Sequence, residues 1–406
     1  MDKLQLLFFF ISGFFVSRLI IKTEIPQSIV TYLLDKKHLS LSKLIFYLIF
    51  LSAALSFFIP NAITVLTLLP IIELLRKSFL KHLPQASKIS TILALSIMYG
   101  ANIGGMGSVT ATPANGILVT YLGLNQIADT GKITFATWLI WGVPLVILFG
   151  LIAWLVITLI FKTGNYKANV SFIGDQFIIS KKYSLKIPVL ITAVYFVSSF
   201  VLSLLLVSYP GELKLILYVS GSFTLLFTFL LFTVPMKLRW NSDSREVLLR
   251  TKDCYGDLPV KGFVYVGISV FIAGILYLFN LYNYFSDWII LVFPNEIPVF
   301  AFFLILALTT SFVTEFFSNT AVQLSLFVIV TTLASSLMFP VVEALIIITL
   351  SSTCAFMSPI ATGVNGLAFG GVKNVSILWM IVAGLIMNLA GALLISFWIH
   401  YFVPLL

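Results

Sequence analysis

Residues 300–333 are mostly apolar but carry a concentrated polar seam, Thr314-Glu315-Phe316-Phe317-Ser318-Asn319-Thr320, which sets a carboxylate, an amide and three hydroxyls in the middle of the run. Each apolar flank is about 15 residues, or roughly 22 Å of helix. That is too short for a hydrocarbon core of about 30 Å. Two such arms fit a re-entrant hairpin whose polar tip stops near the middle of a bilayer. Non-helical backbone is tolerated at that depth only when it is buried in protein or lines a cavity. The seam therefore reads as half of a binding site, and the chain is expected to hold a second, inverted copy.

Composition supports a membrane chain. Of 406 residues, 60% are hydrophobic and only 10% charged, against about 25% charged in soluble domains. With many long apolar runs, this predicts an all-α polytopic membrane protein. The net charge of +9 does not indicate a nucleic-acid partner, because the charges lie in short loops between apolar segments. Cys254 and Cys354 are far apart and suggest no disulfide framework, and His38, His82 and His400 stand alone, without metal-ligand spacing.

In chain order, residues 4–21 form the first apolar run. A signal peptide is the rival reading, but no small-residue cleavage site follows, and Arg18 and Lys22 stand at the far end. Residues 25–41 read as an interfacial arm. Residues 44–75 form a first hairpin, broken at Ser56-Phe57-Phe58-Ile59-Pro60-Asn61-Ala62, where proline cannot continue a helix. Residues 89–122 form a broken helix, interrupted from Tyr99 to Ser108 and again at Thr112-Pro113-Ala114-Asn115. Spans are expected at 134–161, 187–207, 215–234 and 263–281, with basic loops at 76–88 and 237–261. A second arm covers 283–298. The second hairpin (300–333) precedes a second broken helix (341–369), interrupted at Ser358-Pro359-Ile360-Ala361-Thr362-Gly363-Val364-Asn365-Gly366, and a last span at 376–403.

Two blocks thus share the order span, arm, hairpin, broken helix, span. The first repeat is 1–161, two connecting scaffold spans and their loops fill 162–262, and the second repeat is 263–406. If hairpins do not cross, each block crosses three times, and the two spans between them make the repeat inverted. Charge gives an independent test. Of the 24 Lys and Arg residues, only Lys3, Lys132 and Lys214 fall on the side where the chain starts. The other side is then cytoplasmic, and both termini lie outside the cell membrane.

Both tips and both unwound stretches are expected to meet near the midplane. The second arm of each hairpin, and the half-helix after each Thr-x-x-Asn turn, would point an N-terminus into the site. Each such terminus carries about half a positive charge and free N–H groups. Four together accommodate an anion without a basic side chain, and none of the four stretches contains Lys or Arg. Unwound carbonyls with Asn or Ser oxygens suit a small cation such as Na⁺.

The seam, the stretch Cys354-Ala355-Phe356-Met357-Ser358-Pro359-Ile360-Ala361-Thr362-Gly363-Val364-Asn365, and Ile103-Gly104-Gly105 followed by Thr112-Pro113-Ala114-Asn115 resemble the divalent anion/sodium symporter family, from about residue 41 onward. In that family each tip reads Ser-Asn-Thr and each unwound loop ends near Thr-Pro-Pro-Asn. The resemblance implies an elevator-type transporter of dicarboxylates, citrate or a related oxyanion, usually coupled to Na⁺ and often dimeric, so a homodimer is expected. It implies substrate contacts from Asn61, Ser108, Asn319, Thr320 and Thr362. One sodium would sit near Ser56, Asn61 and Gly105, and another near Thr314, the Phe317 carbonyl, Asn319 and Ala361. The chain departs from the pattern at Pro60-Asn61-Ala62, where two expected hydroxyls are missing; this weakens the first sodium site. Gly363-Val364 stands where a Pro-Pro pair is usual, and the scaffold helices that usually precede the first block are not in the sequence.

Three other readings stay open. One is an H⁺-coupled or uncoupled transporter of another anion, such as sulfate, with Glu315 as a proton carrier or, on the favoured view, a structural group. The second is a membrane protein that no longer transports. The third is a membrane enzyme acting on a lipid-linked substrate, disfavoured because the buried stretches hold no His or Asp to act as acid or base.

Overall fold

In a computed structural model of the chain, the described residues are 3–26, 28, 40–80, 86–127, 131–165, 184, 186–238, 245–255, 279, 297–337 and 339–405. The core of the first interfacial arm, most of the second, and all but residue 279 of the span expected at 263–281 lie outside them.

The first helix, α1 (Lys3–Lys22), is followed by α2 (Leu41–Ser56) and α3 (Asn61–Leu80), which are the two arms of the first hairpin. The broken helix is α4 (Ala86–Gly104) and α5 (Pro113–Leu124). Then come α6 (Phe135–Ile160), α7 (Lys186–Ser208), α8 (Leu213–Thr233) and the short α9 (Thr251–Tyr255). In the second block, α10 (Val299–Val313) and α11 (Asn319–Leu337) form the hairpin, α12 (Val341–Ser351) and α13 (Gly363–Gly371) the broken helix, and α14 (Ile377–Tyr401) the last span. Five helices among the described residues are long and apolar enough to cross a membrane: α1, α6, α7, α8 with the 3₁₀ turn before it, and α14. By contrast α2 has 16 residues and α10 has 15, or roughly 24 and 22 Å.

The two blocks repeat their packing. The first hairpin arm, the first half of the broken helix and the last span pack on one another in each block: α2, α4 and α6 in one, α10, α12 and α14 in the other. The blocks also exchange partners. The second hairpin arm of each packs on the distal half of the other's broken helix, α3 on α13 and α11 on α5, while α6 packs on α14. Helix α1 packs on α7 and α8, and this group meets the rest of the bundle where α7 packs on α6 and α1 on α5.

Three features differ from the sequence reading. Helix α4 continues through Gly104, so the first unwound stretch starts at Gly105. The reason is packing: a Cβ at Gly100 or Gly104 would lie 2.4 or 2.2 Å from a carbonyl oxygen of α2, so these glycines let the two helices touch rather than unwind. The second unwound stretch begins earlier than expected, because α12 ends at Ser351. Finally, the loop after α8 contains a two-residue antiparallel ladder, Pro235–Met236 with Glu246–Val247. It is tied to α1 where Lys22 Nζ donates to the Leu248 carbonyl and to Asp253.

Candidate functional site

Each unwound stretch is closed by the same lock. In the first, Thr112 caps α5 by accepting from the Asn115 N–H, and Asn115 Nδ2 donates to the carbonyls of Gly105 (3.0 Å) and Ser108 (2.8 Å). In the second, Thr362 caps α13 by accepting from the Asn365 N–H, and Asn365 Nδ2 donates to Ala355 (2.6 Å) and Ser358 (2.8 Å). The chemistry dictates the spacing. A threonine at the cap satisfies one orphan N–H of the helix start, and an amide three residues later satisfies two carbonyls that unwinding has left without helical donors.

Contacts join the four polar stretches into a ring. The first tip meets the first loop at Gly105, where a Cβ would lie 3.0 Å from both the Nδ2 and Oδ1 of Asn61 and 2.5 Å from Thr112. The first loop meets the second hairpin through Gln323 Nε2, which donates to the Ala114 carbonyl at 2.8 Å. The second tip meets the second loop through Glu315, whose two oxygens accept from the N–H groups of Met357 and Ser358, both at 2.8 Å. The second loop returns to the first where Asn102 Nδ2 donates to Asn365 Oδ1 at 3.1 Å. Helices α3, α5, α11 and α13 all start at this ring.

The predicted site residues fall around the ring as follows. Ser56 is buried and its hydroxyl donates to Thr64. Asn61 Oδ1 and Asn319 Oδ1 are buried and have no hydrogen-bond partner among the described residues. Ser108 Oγ shares a hydrogen bond with Thr110. Thr314 is buried and donates to the carbonyls of Thr310 and Ser311. The Phe317 side chain is exposed, so its carbonyl is what it offers a ligand, and Ala361 and Thr320 are half-buried. The Thr362 hydroxyl donates to Asn365 Oδ1, so its hydrogen is already committed. The sequence reading missed Asn102, Gln323 and Asn388. The last donates to Glu315 and accepts from the Phe356 N–H. Each is an amide side chain in a predominantly apolar helix, and that was the available signal.

A cavity of about 240 Å³ lies beside the first tip, between Phe57, Pro60, Thr110 and Thr112 on one side and Phe10 and Tyr195 on the other. It is smaller than the roughly 300–1,000 Å³ of drug-sized sites, which suits a small solute. Its lining includes no Lys, Arg or His among the described residues.

A sequence model described as the sodium:sulfate symporter transmembrane region matches residues 3–406. A sodium-dependent dicarboxylate transporter, SdcS, of Staphylococcus saprophyticus is 25% identical, over 98% of this chain and 77% of its own length. A sodium-dependent low-affinity dicarboxylate transporter of Caenorhabditis elegans is 27% identical, over 77% of this chain and 55% of its own length. The Na⁺/dicarboxylate cotransporter 3 of Rattus norvegicus is also 27% identical, over 74% of this chain and 54% of its own length.

Proposed function

Since the chain belongs to the sodium:sulfate symporter family, the divalent anion/sodium symporters, which are transporters and not enzymes, we propose that it carries a small dicarboxylate across the cell membrane, coupled to Na⁺, by an elevator-type movement of the two blocks against the group of α1, α7 and α8. The observation that carries this reading is the ring. It joins four helix starts and two asparagine oxygens without partners among the described residues, in a site that needs no basic side chain. The N–H groups and dipoles suit a dianion. The Asn61 and Asn319 oxygens and the unwound carbonyls suit sodium beside it. Substrate contacts are assigned to Asn61, Ser108, Asn319, Thr320 and Thr362. Sodium is assigned to Ser56, Asn61 and Gly105, and to Thr314, Phe317, Asn319 and Ala361.

Several contacts support the inverted, re-entrant topology. Lys3 donates to the Ile133 carbonyl, and Lys132 pairs with Glu343, joining segments that the charge argument puts on the outer side. The Ser376 N–H donates to Thr91, and Lys22 pairs with Asp253, joining segments it puts on the cytoplasmic side. Both termini are then outside, and a homodimer follows only from the family resemblance.

The test is uptake of labelled succinate into proteoliposomes under a NaCl or a KCl gradient. Uptake driven by NaCl and not by KCl is expected; equal uptake under both removes the sodium coupling. Sulfate is a second reading of the dianion, favoured by the description of the family itself, and sulfate competing better than succinate for the same uptake would establish it.

A further inference from the structure

Gln323 lies four residues after Asn319 in α11 and is fully buried. Its Nε2 donates to the Ala114 carbonyl at 2.8 Å and to Thr349 Oγ1 at 3.1 Å. The amide cannot be turned around. The Ala114 carbonyl only accepts, and the Thr349 hydroxyl already gives its hydrogen to the Leu345 carbonyl. Gln323 Oε1 is thereby fixed as an oxygen, and it is buried without a hydrogen-bond partner among the described residues.

A buried acceptor with no donor is costly, and in folded proteins it points to a bound water, an ion or a strained functional group. Residues four apart lie on one helix face, so Gln323 leaves the helix one turn along from Asn319, whose Oδ1 is also buried without a partner among the described residues. Packing does not require the polar group. The matching residue of the first hairpin, four after Asn61, is the equally buried Val65. Two acceptor-only oxygens on one buried face cannot bind an anion directly, but they suit a hard monovalent cation.

We infer that Gln323 supplies a further oxygen ligand to the cation held at the second tip, alongside Asn319, and that its amide ties this cation to the start of α5 through Ala114. The inference rests on the sodium-coupled reading and adds to it a ligand from the arm of the hairpin rather than its tip. It also gives a sodium bound in the second half a direct link to the helix start of the first.

The experiment is a thermal-shift titration of the purified full chain with NaCl, at constant ionic strength made up with KCl, on the wild type, Gln323→Met and Gln323→Glu. Methionine fills the same space without the oxygen. Its half-saturating NaCl should rise about tenfold to a hundredfold, the range for one lost bond to a charged group, while the melting temperature in KCl falls only by what the lost donation to Ala114 costs. Glutamate keeps an oxygen but loses the donation to Ala114, so it should retain the sodium response. Gln323→Met titrating like the wild type would overturn the inference and leave the oxygen to a water. Loss of the response in Gln323→Glu would also overturn it, by making the bond to Ala114 the whole role, and that variant decides the matter if Gln323→Met does not fold. A wild type that ignores sodium with any dianion present would overturn the sodium-coupled reading itself.

Discussion

The two halves of the site share a lock and differ in what covers it. Thr112 with Asn115 and Thr362 with Asn365 make the same bonds at the same spacing. Over the second loop, four residues before Asn319, lies Glu315, held by Met357, Ser358 and Asn388. Over the first loop, four residues before Asn61, lies Phe57; a Cβ at Gly107 would sit 2.8 Å from its ring and 3.2 Å from Val146. Val146 matches Asn388: each comes four residues after a glycine, Gly142 or Gly384, that presses on the loop. Gln323 and Val65 complete the series. The lock is what the unwound backbone demands in either half. The polar cover is an addition made in one half only.

The strongest way to break this comparison is at Glu315. Glu315→Leu leaves three donors unpaired at roughly 1–3 kcal/mol each, so folded yield, melting temperature and uptake should all collapse. Phe57→Leu, at the matching position, should cost only about 1 kcal/mol. Similar melting temperatures for the two variants would mean the covers are equivalent. Glu315→Gln keeps one acceptor and should weaken uptake while leaving any pH dependence in place. If a proton-driven component disappears with this change, Glu315 carries the proton.

The locks come next. Asn365→Ala and Asn115→Ala each strand two carbonyls, but only Asn365 also serves Asn102 and Thr362. Thermal unfolding should therefore rank Asn365→Ala as the more damaging, by about 1 kcal/mol for the additional bonds; the reverse order would contradict the ring. A subtler difference lies at Gly105, whose counterpart in the second lock is Ala355. Gly105→Ala should push Asn61 aside and lower succinate affinity about tenfold, the kind of penalty a small displacement at a site brings, while Ala355→Gly leaves affinity near wild type.

The smallest expected effect lies outside both halves. Burial raises the pKa of Asp253, but donation from Lys22 and from the Arg250 N–H outweighs it and holds the carboxyl below its usual value. A lowered carboxylate pKa stabilises the fold above the unfolded value of about 3.9 and loses that contribution as pH falls toward the folded one. Asp253→Asn should thus cost at most about 1 kcal/mol at neutral pH. The cost should shrink below pH 4, and uptake should not change. A cost that grows in acid would reverse the assigned sign.

Much of the fold was legible because a bilayer leaves a chain few options. Apolar runs gave the helix order, Pro60 and the polar seam marked the two tips, and the glycines and Thr-x-x-Asn turns marked the broken helices. Where α4 ends was not legible, since Gly100 and Gly104 look like unwinding signals until α2 is seen pressed against them. The ladder after α8 is too short to leave a period in the sequence. Sequence motifs pointed to Asn61, Gly105, Thr314 and Asn319, whose proposed roles the binding and uptake experiments test. Asn102, Gln323 and Asn388 act through partners far along the chain, and no local pattern announces such partners.

The central claim is that one small anion is held by both halves at once. Equilibrium binding of labelled succinate to the wild type, Asn61→Ala, Asn319→Ala and the double variant tests it most directly. Residues that share one ligand should be non-additive, with a coupling of about 0.5–3 kcal/mol across the cycle. Strict additivity, or full binding after either single change, would mean that the two asparagines do not serve a common site.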